Sequence, residues 1–124
     1  MSQWDEWIAW AEAVVAETLA QLPAPLREEA KGVAVSYERA PDAAWVEEGI
    51  EADSLGLFSG ATREEQQSGE VPHPPQIALF LENLWSVSDG DPDLFCEEIH
   101  ITYLHELGHY LGLDEQDLID RGLE

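Results

Sequence analysis

Two histidines four residues apart, His105 and His109, stand late in a segment that reads as one continuous helix, and they constrain this 124-residue chain more than any other feature. After Asp89-Gly90-Asp91-Pro92 the pattern becomes helical: Asp91 can cap, Pro92 suits a first-turn position, and Asp93 complements the helix dipole. The helix is expected to run from about Pro92 to about Leu111 and to break at Gly112. Side chains four apart project from one helix face with Cβ atoms about 6 Å apart, so both imidazoles converge on one point.

The residues between them complete the pattern His105-Glu106-Leu107-Gly108-His109, an H-E-x-x-H motif. Two neutral imidazoles converging in this way suit Zn2+, and zinc is the expected cofactor. Glu106 is close enough to reach a metal-bound water and displaced enough not to compete as a ligand, which gives it the role of general base. Gly112 can take the left-handed conformation that reverses the chain after a helix, returning it toward the metal. That return offers Glu115 as third ligand, ten residues after His105, with Asp114 as its competitor. A His, His, carboxylate set leaves the fourth position open for water.

The run Thr102 to Glu115, with H-E-L-G-H-Y-L-G-L-D-E, resembles the small bacterial zincin-like proteins of the zinc metallopeptidase class. The resemblance is specific over those fourteen residues and extends more loosely to the strands upstream. It implies an α+β chain with a minimal zincin-like fold. In that fold a small mixed β-sheet of about three to four strands packs on an N-terminal helix and on the active-site helix. The ten-residue offset of Glu115 matches the longer zincin motif, although relatives often carry Asp as third ligand. Zincins bind the substrate backbone along an edge strand above the metal, and the segment Gln76 to Glu82 is the candidate for it. No Met-turn follows the motif, and nine residues remain after Glu115, so a deep specificity pocket is not expected.

The rest of the chain supplies a core. Apolar residues at Trp4, Trp7, Ile8, Ala11, Val14, Val15 and Leu19 mark an amphipathic helix from Trp4 to Leu22, capped by Ser2 and stopped by Pro23 and Pro25. A shorter helical segment, Leu26 to Ala30, follows. Val33, Val35 and Tyr37 alternate in a strand from Gly32 to Glu38 that Pro41 closes. Residues 42–53 read as an acidic connection with some helical character. Strands are expected at Ser54 to Ser59 and at Gln76 to Glu82, the second with Ile77, Leu79 and Leu81 on one side. Between them runs a polar, proline-rich loop from Ala61 to Pro75. A brief acidic helix, Glu115 to Arg121, is expected last, and residues 1–124 read as a single zincin-like domain.

Composition narrows the partners. With 27 Asp and Glu against five Lys and Arg the formal charge is −22, so the surface repels phosphates and anionic lipid and attracts basic peptides, basic proteins or divalent cations. Nucleic acid and membrane surfaces are therefore not expected partners. Cys96 is the only cysteine, which excludes an internal disulfide and a Cys-based zinc site, and it reads as a small buried hydrophobe. The N-terminal residues lack the pattern of a secretory signal and no apolar run has membrane-span length, so a cytoplasmic location is expected. His73, between prolines, and His100, off the ligand face, read as surface or packing residues, as Tyr103 and Tyr110 read as core. Gly108, inside the helix, hints at close approach by a strand or by substrate.

Two functions from different classes fit these residues. The first is a zinc-dependent metallopeptidase hydrolysing peptide bonds, with His105, His109 and Glu115 on the metal and Glu106 as base. The alternative is a metal-stabilised, non-catalytic binding or regulatory module on a zincin scaffold, which small size favours and Glu106 disfavours, since a structural site needs no base.

Overall fold

Ser2 opens the first element by accepting a hydrogen bond from Asp5 N–H, and the helix α1 runs Gln3–Gln21 until Pro23 ends it. The computed structural model describes residues 2–60, 62 and 74–112. Within these, α1 is followed by α2 (Ala24–Ala30), β1 (Ala34–Glu38), α3 (Ala43–Glu47) and β2 (Gly56–Ser59). Then come β3 (Gln76–Phe80), α4 (Leu81–Val87) and α5 (Pro92–Tyr110). The chain is thus α+β, with five helices and a three-stranded mixed sheet among the described residues. No helix among them is long and apolar enough to cross a membrane.

The caps read from the sequence fall where expected: Asp91 accepts from the N–H groups of Asp93 and Leu94 at the start of α5, and Gly112 ends α5 with φ 76°. A cap not read from the sequence is Asp42, which accepts from Trp45 N–H at the start of α3. The segment expected to be helical from Leu26 begins two residues earlier, and the strand expected from Gly32 begins at Ala34. The expected helix Glu115 to Arg121 lies outside the described residues, as does most of the loop from Ala61 to Pro75.

The strands order as β1-β3-β2, β3 parallel to β1 and antiparallel to β2. Their register places Val35, Ile77 and Phe58 in one row and Tyr37, Leu79 and Gly56 in the next, on a common face. That face packs on α5, and α5 packs in turn on α1. The opposite face carries Phe80, against whose ring Trp45 of α3 stands edge-on at 5.5 Å.

Two expectations about the third strand are corrected. Gln76 to Glu82 is not one strand: it stops at Phe80, and Leu81–Val87 is helical with Leu81 and Leu84 buried. Nor is it an edge, because β3 pairs on both sides. The physical reason is burial. Residues 77–81 are all inside, so the apolar run has no alternation to show where extended backbone gives way to helix.

The core joins α1, α4 and α5 through rings: Phe95, fully buried, lies 5.3 Å from Trp85, 6.1 Å from Trp7 and 6.1 Å from Trp10. The Arg39 guanidinium sits 4.4 Å over the Trp4 ring, tying the end of β1 to α1. Burial, with Glu12 and Tyr103 nearby, pushes the Tyr37 hydroxyl up to about 12. Tyr103 and Tyr110 are core residues, as expected. His100 packs by accepting from or donating to the Thr18 hydroxyl at 2.7 Å, linking α5 to α1. Cys96 is a correction, being partly exposed: it lies on the α5 face beside Val14 and Thr18, where a small cleft separates the two helices.

Candidate metal centre

The last turns of α5 carry His105, Glu106 and His109, and the helix brings one donor atom of each within 4.8 Å of the others. The two Nε2 atoms are 3.1 Å apart, and a Glu106 carboxylate oxygen lies 4.0 Å from His109 Nε2. Two ligands at about 2.0–2.1 Å from a tetrahedral ion are about 3.3 Å apart, so the imidazole pair is already spaced for one zinc-sized cation. The donor set is nitrogen and carboxylate oxygen, which such a cation accepts.

Burial differs sharply along this short stretch. The His109 side chain is half exposed, while Glu106 is buried beneath β2. A glycine makes that possible. A Cβ on Gly56 would stand 2.6 Å from Thr102 Cγ2 and 3.3 Å from Glu106 Cγ, so only a residue without a side chain lets β2 lie so close to α5. Two residues on, Phe58 lays its ring on Tyr110, with centroids 6.0 Å apart, and so anchors the strand past the site.

The strand also offers its backbone. Leu55 accepts from Phe80 N–H, and antiparallel alternation then directs the backbone groups of Gly56 and Phe58 away from β3, toward the outer edge. Phe58 N–H donates to the Glu106 carboxylate from there. Beside the triad, a cleft of about 350 Å³ runs between the two elements. Ser54, Leu55 and Gly56 form one wall, Glu98, Ile101 and Thr102 the other, and His105 and Glu106 close its end.

Burial raises the Glu106 carboxyl above the ordinary carboxylate range; His109, His105 and the Phe58 amide lower it but do not cancel the effect. The sign for stability follows. A carboxyl whose value is raised by folding takes up a proton on folding, so its contribution is complete below the unfolded value and is lost as pH rises through the folded one. Metal-free Glu106→Gln should therefore melt higher than metal-free parent at pH 7, and the gap should close toward pH 4. Thermal melts in a chelator across that range check this; a parent that is the more stable at pH 7 would contradict it.

The sequence model of the zincin-like metallopeptidase family matches residues 30–123, which include the sheet and the whole of the His105 to His109 helix. The chain belongs to the zincin-like metallopeptidase family. No curated protein matches it. In this zincin-like chain the structure brings His105, Glu106 and His109 together, whereas Glu115, its competitor Asp114, and His73 lie outside the described residues. His100 is turned to Thr18 instead.

The edge strand of the zincin-like site is a correction as well: the edge over the motif is β2, while β3 lies at the centre of the sheet. Gly56 and the Phe58 amide were therefore missed as site residues. One signal was available, since a glycine inside a short apolar strand marks close approach of another backbone or side chain. Gly108, the glycine expected to mark a close approach, is itself buried within α5.

Proposed function

We propose that the chain is a zinc-dependent peptidase, and the observation that carries this reading is a buried carboxylate, Glu106, beside two imidazole nitrogens 3.1 Å apart. A site that served only to hold a metal would need no raised, buried carboxyl next to its ligands.

In this reading His105 and His109 hold the ion through Nε2, and Glu115, or Asp114 in its place, is the third ligand. When bound, zinc supplies Lewis-acid chemistry, acidifying water to a pKa of about 7 and polarising a peptide carbonyl. Glu106 accepts the proton of the attacking water on a carboxylate oxygen and delivers it to the leaving amine nitrogen. Burial that raises its carboxyl makes it the stronger base for the first step. The substrate backbone lies along the outer edge of β2 as an added strand, on the outward N–H of Gly56 and C=O of Phe58, since Phe58 N–H is engaged by Glu106 and the Gly56 carbonyl by the Ser54 hydroxyl. The substrates are peptides or proteins, and a location in the cytoplasm accords with a lone cysteine.

Metal content tests the reading first. Parent protein purified without added metal should carry about one zinc per chain by plasma mass spectrometry and His105→Ala none. Parent protein that is metal-free and takes up no added zinc would end it.

A further inference from the structure

The cleft between β2 and α5 has features that the chemistry of bond cleavage does not use. Its two walls present apolar groups, Leu55 from the strand side and Ile101 from the helix, and Ile101 is left 39% exposed. The helix wall also presents a carboxylate, Glu98. Glu98 precedes His105 by seven residues, two helical turns, so it shares that face of α5 at about 10 Å along the axis. Among the described residues no Lys or Arg pairs with Glu98. At about 350 Å³ the cleft is at the small end for ligand sites and suits one long side chain better than a whole small molecule.

A cleft with one apolar side chain on each wall, Leu55 and Ile101, and an unpaired carboxylate, Glu98, two helical turns from the metal residues is complementary to a side chain with a long aliphatic stem and a cationic tip. Lysine and arginine have that form, with methylene stems that bury along apolar surface and heads that seek charge or water. Either reaches about 6 Å or more from its Cα, and the Glu98 side chain with a hydrogen bond of about 3 Å supplies the rest of the roughly 10 Å between a backbone held at the metal and Glu98. A neutral apolar side chain would fill the walls but leave the carboxylate unsatisfied, and an acidic one would meet like charge.

Resting on the peptidase reading, we infer that this cleft is a specificity subsite: it takes a Lys or Arg side chain flanking the scissile bond, with Leu55 and Ile101 packing the stem and Glu98 binding the head. The charge of −22 would draw basic peptides generally, but that field changes only from −22 to −21 in Glu98→Gln. A local subsite and a global field therefore give different results in that variant.

The test uses the zinc-loaded full chain and a set of fluorescent peptides identical except at the residues flanking the cleavable bond, which are Lys, norleucine or Glu. Hydrolysis is followed as kcat/KM and binding as anisotropy. The parent should prefer Lys over norleucine by about tenfold, a charge-assisted hydrogen bond's worth of selectivity. Glu98→Gln should bring the ratio to within about twofold, and Glu98→Arg should turn the preference to the Glu peptide, which a misfolded variant would not do. Equal use of Lys and norleucine by the parent, or a Lys preference surviving in both variants, overturns the subsite while leaving the peptidase reading intact. Selective binding of the Lys peptide without hydrolysis, lost in Glu98→Gln, upholds the subsite and removes the peptidase reading. Absence of both selective binding and hydrolysis overturns the two together.

Discussion

Glu106→Gln should retain about one zinc per chain and hydrolyse peptides about 10²–10⁴-fold more slowly than the parent, the range that a positioned general base contributes. The substitution keeps the shape of the side chain. The amide can still occupy the space beneath Gly56, so β2 need not move away from α5. What it removes is the capacity to take a proton. The imidazoles of His105 and His109 are untouched, and their Nε2 atoms hold the spacing that suits the metal. Zinc content by plasma mass spectrometry and kcat/KM on a cleavable peptide, measured on the same preparation, separate the two roles. Parent-like hydrolysis by Glu106→Gln would remove Glu106 from catalysis, and absence of hydrolysis in the zinc-loaded parent itself would leave the chain as a metal-stabilised binding module. Loss of zinc in the variant would instead make Glu106 part of the metal's own support.

Phe95→Ala is expected to cost about 3–5 kcal/mol of folding stability, the range for truncating a buried aromatic ring. Against a total of about 5–15 kcal/mol for a domain, that is enough to leave a marginal protein. The ring is fully buried and stands among Trp7, Trp10 and Trp85, so three indoles from α1 and α4 lose a common partner. Collapse into the space is hindered because those rings are already in contact: Trp7 lies 5.5 Å from Trp85, and Trp10 6.2 Å from it. Phe95 sits near the start of α5, ten residues before His105, so the same ring seats the helix whose far end carries the metal residues. Urea unfolding followed by tryptophan fluorescence reads the loss as a lower midpoint. A change below about 1 kcal/mol would show that the aromatic cluster is not what seats α5.

The parts of the fold legible in the sequence are those governed by near neighbours along the chain. The Asp91 cap, Pro92 and the left-handed Gly112 bound α5 through contacts within a few residues, and Ser2 does the same for α1. The convergence of His105 and His109 is equally local, since helical geometry alone sets a four-residue spacing on one face. The stretch from Gln76 to Val87 was illegible for the opposite reason. Burial of every residue from 77 to 81 erases the polar half of the pattern at the junction, so neither the end of β3 nor the start of α4 leaves a periodic mark.

Strand order was not encoded in any single segment, because it is a choice among pairings between residues far apart in sequence. That choice put β3 in the centre and β2 at the edge over the motif. It also decided that β2 makes its close approach to α5 at Gly56, and thereby why Glu106 is buried and its carboxyl raised. The ordering of α1 against α5 likewise left Cys96 at a cleft and not in the core. The sequence alone determined the chemical groups of the site and their spacing along one helix, because that geometry is local. Only the tertiary structure decided what lies over them, because register, edge and burial arise from long-range packing.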